Sequence, residues 1–164
     1  MKHILNEHRQ DFSEIRRLCL ICHGLDYTTS SLSIPTSRLR VSEATEATIQ
    51  NLVSSYLLNL AVAIRINLYP NKIEFKDVEL PQSGWLYYDE ELVCRPVTLK
   101  QVCDKIIHAD TVSKPILPEV MARKDCKICI QFKGKEFKRK WTLDIVLEYF
   151  AEDVLHILDD IENQ

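Results

Sequence analysis

Lys100, Asp104 and His108 follow one another at spacings of four. On a helix that spacing lines them along one side, spread over about 80°. Imidazole accepts and returns a proton near neutral pH. Asp104 is placed to orient His108, and Lys100 or Lys105 to balance the charge of a phosphate. Cleavage of an RNA backbone without metal needs such a set: a base, an acid, and a cation for the phosphorane. The competing role is structural. A His in the last turn of a helix meets the negative end of the dipole and can simply cap it.

A second chemistry lies in charge. Between Ala122 and Lys140 stand eight basic residues, Arg123, Lys124, Lys127, Lys133, Lys135, Lys138, Arg139 and Lys140, against Asp125 and Glu136. The segment carries 8 − 2 = +6 and the rest of the chain −3 − 6 = −9. Lys133, Lys135, Lys138, Arg139 and Lys140 are candidates for holding a nucleic-acid backbone. Phe137 and Trp141 offer rings for base stacking. The alternative is internal balance against the last helix, which carries seven acids from Asp144 onward and no Lys or Arg. A third cluster is aromatic. Trp85, Leu86, Tyr87 and Tyr88 cannot all be buried on one face, so Trp85, Tyr87 and Tyr88 are candidates for binding a protein partner.

The cysteines suggest zinc only at first sight. Cys19-x-x-Cys22, followed by His23, and Cys126-x-x-Cys129 have the look of ligand pairs. But Cys19 and Cys22 fall on an apolar helical stripe, where a thiol packs as a small hydrophobe. Cys126 and Cys129 face opposite sides of a strand. Core thiols are the better reading, and no metal is expected. Three scattered glycines build no phosphate-cradling loop, no nucleophile elbow supports a Ser–His–Asp set, and no cofactor is expected. His3, His8 and His156 carry no pattern.

These residues need elements to position them. The chain has 164 residues, 46% apolar and 27% charged, with net charge −3. That describes one domain, 1–164, able to bury a core, and excludes global disorder. Phe12, Ile15, Cys19 and Cys22 predict a first helix from about Asn6 to His23, with Gly24 as its C-cap. Residues 26–41 read as a loop rich in Ser and Thr. Ser42 caps a long second helix with an apolar face from Ile49 to Leu68. Residues 71–97 read as an insertion with a turn at 81–84. Thr98 and Gln101 form a capping box for a third helix ending near Ala109, with Leu99, Val102, Cys103, Ile106 and Ile107 inward. Alternation over 125–132 predicts a half-buried strand, Lys133-Gly134-Lys135 a turn, and 125–141 a basic β-hairpin. A last helix is expected from Thr142 to Ile161. The expected fold is mainly α: a helical bundle of about four helices with one or two small β-hairpin insertions. Leu52–Leu68 reads as too polar and short for a membrane span. The N-terminus lacks a signal-like apolar run, so a cytoplasmic chain with reduced thiols and no membrane partner is expected.

Helix three, TLKQVCDKIIHAD, follows a helix ending NLAVAIRINLY and precedes GKEFKRKW and a final amphipathic helix. From helix two to the C-terminus this resembles the HEPN superfamily, helical domains of prokaryotic defence, toxin–antitoxin and mobile-element systems. The resemblance implies an RNA-associated homodimer and, in active members, a metal-independent endoribonuclease. His108 matches the His of the Arg-x4-6-His motif. The Arg positions hold Gln101, Val102 and Cys103, Lys100 is one residue too far upstream, and Lys105 is too close. A Lys lacks the bidentate fork of Arg, so a weak or degenerate ribonuclease is expected. The alternative is a non-enzymatic protein-interaction module.

Overall fold

The computed structural model describes residues 12–32, 42–69, 77–89, 95–113 and 128–163. Its elements run α1 (Ser13–Leu32), α2 (Glu43–Leu68), β1 (Glu79–Tyr88), β2 (Arg95–Thr98), α3 (Leu99–Ile107), β3 (Thr111–Val112), β4 (Cys129–Glu136), β5 (Arg139–Val146) and α4 (Leu147–Glu162).

The helices begin where local chemistry starts them. Ser42 caps α2, its hydroxyl oxygen accepting the Thr45 N–H, with Glu43 and Glu46 in the first turn. The Thr98–Gln101 capping box is formed in both directions at α3. α1 departs from expectation. It runs through Gly24 to Leu32, so residues 26–32 are helical rather than loop. Two of the polar residues that read as loop are satisfied inside the protein. Buried Thr29 donates to the Leu25 carbonyl at 2.7 Å. Buried Asp26 accepts the backbone N–H of Ile128 at 3.1 Å and of Glu148 at 3.2 Å. Residues 33–41 lie outside the described residues, as do His3, His8, Cys94, Arg123, Lys124, Cys126 and Lys127.

The expected helical bundle is overturned. Among the described residues four helices are present, but five antiparallel strands form one sheet in the order β2-β1-β5-β4-β3. β1 is an interior strand, not part of an insertion. Its pairing with β2 jumps between Leu80 and Trp85, so 81–84 is a bulged stretch of strand rather than a free turn. β5 occupies the first turn of the expected last helix. Leu143 and Leu147 fit a helical period, but Trp141, Leu143 and Ile145 alternate at two and pair with β4 and β1. Strand pairing decides, and α4 starts only at Leu147. The hairpin turn lies at Phe137-Lys138, since Glu136 pairs with Arg139. Phe137 holds a positive φ of 55° and is fully exposed. Gly134 is inside β4, where a Cβ would overlap the Trp141 ring.

One sheet face is apolar and buried: Leu86 on β1, Leu143 and Ile145 on β5, Ile130 and Phe132 on β4. α4 packs against β1, α1 against α4 and α2, and α3 against α2. This is an α+β layering with the core between helices and sheet. α2, at 26 residues, is long and apolar enough to cross a membrane by length and composition. Val53, Leu57, Leu60, Ala61, Ile64 and Leu68 give it one face in the core, while Leu52, Leu58, Val62 and Ile66 are exposed.

Candidate functional site

α3 carries the predicted triad along one side. The hydroxyl of Tyr69, just past α2, braces it, donating to the Lys100 carbonyl at 3.0 Å and lying 3.5 Å from Asp104 Oδ1. Burial, with Cys103 and Asp104 nearby, raises the Tyr69 pKa, so its hydroxyl keeps its proton.

The residue that sequence reasoning missed comes from α2. Arg65 Nη1 lies 3.2 Å from His108 Nε2 and 3.7 Å from Asp104 Oδ1. A guanidinium only donates. In this contact Arg65 donates and His108 Nε2 accepts. A signal for Arg65 was present: it is the only charged residue between Glu46 and the end of α2. A basic residue in a last turn has an ordinary explanation in the helix dipole, which hides that signal.

Lys105 is not a free phosphate ligand. Its side chain is 12% exposed, and Nζ lies 2.7 Å from Glu136 Oε2. The ammonium stands 4.8 Å from the Trp141 ring centre and 5.6 Å from that of Tyr88. The Lys105 bond holds the Glu136 carboxyl below the usual carboxylate range, helped by the Tyr88 hydroxyl and Arg139. Tyr88 donates to Glu136 at 3.3 Å, and Arg139 stacks 4.4 Å above the Tyr88 ring.

Together these elements enclose an open cleft of about 740 Å³, to which Arg65, Lys100, Asp104, His108 and Lys135 contribute. Lys135 is the one cation of the five predicted on the hairpin that reaches it. Lys133, Lys135 and Lys140 border a second open hollow of about 820 Å³, which also holds Asp89 and Asp110. Lys138 is exposed beside Phe137 at the turn. Several acids of α4 meet partners outside the hairpin. Asp159 and Glu162 bind Arg16, Glu148 and Glu152 face His23, and Asp153 accepts from Ser83.

Trp141 is 2% exposed and cannot stack a base. The aromatic cluster does not form one patch either. Leu86 is in the core, and Tyr88 points toward Glu136 on the buried face of the sheet. Trp85, half-buried, and Tyr87, exposed, alternate onto the opposite face. Cys19, Cys22 and Cys103 are buried thiols. Burial raises all three, Cys22 to about 12, so they remain protonated and unreactive.

No family model matches the chain, and neither the curated proteins nor the solved structures contain a significant match.

Proposed function

We propose that the chain is an RNA-associated protein that grips a backbone phosphate in the cleft between α2, α3 and the β4–β5 hairpin. The observation that carries this reading is Arg65 set beside His108, with Lys100 and Lys135 on the same open cleft. The planar fork of an Arg suits two phosphate oxygens at once. A phosphate taking those donors frees the His108 Nε2 lone pair. That nitrogen is then free to accept the proton of a ribose 2′-hydroxyl as its oxygen attacks phosphorus. The 5′-oxygen leaves, giving a 2′,3′-cyclic phosphate, and the imidazolium returns the proton to the leaving oxygen. One imidazole serving both steps makes for slow chemistry, and no step requires a metal.

The test is single-turnover cleavage of a mixed-sequence RNA in EDTA beside equilibrium binding at two salt concentrations. Affinity is expected to fall steeply with salt, as for about three to four neutralised phosphates. Arg65→Ala is expected to weaken binding about tenfold. His108→Ala is expected to abolish cleavage and leave binding largely intact. Binding that ignores salt and survives Arg65→Ala overturns the proposal. Salt-sensitive binding without cleavage in any variant retains the RNA cleft and removes the enzyme.

A protein-binding module is the second reading, favoured by Trp85 and Tyr87 on the outward face of β1. It requires an interaction that tolerates salt and is lost with Trp85→Ala.

A further inference from the structure

His23 on α1 faces Glu148 and Glu152, which are one turn apart on α4. Its Nε2 lies 3.5 Å from Glu148 Oε1 and 3.3 Å from Glu152 Oε1. One ligand atom from each residue falls within 4.8 Å of the others. The closer carboxylate is within hydrogen-bond reach of the imidazole, and the second lies at a similar distance from the same nitrogen. Nitrogen and oxygen ligands about 2.0–2.1 Å from a tetrahedral ion stand about 3.3–3.5 Å apart, which is the separation of both carboxylates from Nε2.

We propose that His23, Glu148 and Glu152 form a site for a first-row divalent transition metal, zinc foremost. An imidazole nitrogen with two carboxylates suits zinc better than calcium or magnesium, which take oxygen ligands. Three protein ligands leave a fourth tetrahedral position for water. The supporting structure is fixed from both helices. Buried Asp26, one turn beyond His23, accepts the Glu148 backbone N–H at 3.2 Å and so anchors the first turn of α4. The ion would cross-link α1 to α4. Cys19 and Cys22, just upstream on α1, are buried in the core and stay out of the ligand set. The site shares no residue with the cleft on α3, so it stands whether or not that cleft binds RNA.

The experiment is equilibrium dialysis of chelator-stripped, folded protein against zinc alone, with cobalt(II) as a spectroscopic substitute. About one zinc per chain is expected at micromolar concentration, with a rise in melting temperature. Cobalt should give visible d–d bands without thiolate charge transfer. Glu152→Gln changes a side chain that is 44% exposed, so its fold is expected to survive, and circular dichroism checks this. It and His23→Gln should each weaken zinc at least about tenfold and remove the thermal shift. Absence of micromolar zinc in the wild type overturns the proposal. So does zinc bound equally by both variants, or a cobalt spectrum dominated by thiolate bands.

Discussion

Lys105 and Lys100 are equivalent in the sequence as phosphate cations, five residues apart on one helix. The structure separates them by what lies opposite. Lys105 meets Glu136, Tyr88 and Trp141, and its charge is used internally. This clasp has an acid limit. The folded Glu136 carboxyl is held below its ordinary value of 4.5, so the clasp contributes fully above that pH and is lost as pH falls through the folded value. Glu136 is half exposed, and solvent keeps the pair under about 1 kcal/mol. Urea titrations should show Lys105→Met less stable than wild type at pH 7 and the gap closing below about pH 4.5. A gap independent of pH would assign the loss to packing. The same contrast explains what could be read in advance. Lys100, Asp104 and His108 were legible because helical spacing is a local property. Arg65 and Glu136 were not, because their roles depend on how α2 and the hairpin dock against α3.

At the scale of elements, caps and part of the β4–β5 hairpin were legible, and the extent of the sheet was not. Ser42, Thr98 and Gln101 act on residues three positions away, so their effect is written locally. β1 and β5 are decided by partners far along the chain. The bulge between Leu80 and Trp85 also breaks the alternation that would have marked β1. The β4–β5 pair shows the cost of reading a glycine by type. Gly134 reads as a turn residue, but it is a flat place in β4 on which the Trp141 ring lies. Gly134→Ala should therefore destabilise the protein by about 1–3 kcal/mol, with Trp141 fluorescence shifted to the red as the ring is pushed toward water. Unchanged stability and emission would show that the ring can move aside without loss.

At the scale of the whole molecule, α1 connects the first part of the fold to the last. Arg16 binds Asp159 and Glu162, His23 faces Glu148 and Glu152, and Asp26 reaches Ile128 and Glu148. The acidic α4 is thus tied to α1 by side chains along its length. α4 has no side-chain cap of its own at Val146, and Asp26 supplies the acceptor from another helix. Asp26→Ala strips acceptors from two backbone donors and should cost about 3 kcal/mol. Asp26→Asn keeps one oxygen and should cost less. Urea midpoints for the two variants check both the size and the order.

The Asp26 contacts also set an order of events. They join residues 102 and 122 positions apart. Pairings so distant in sequence raise contact order and slow folding. While the chain is being made from its N-terminus, α1 emerges long before either N–H exists. The Asp26 contacts therefore form only once residues 128–148 have been made.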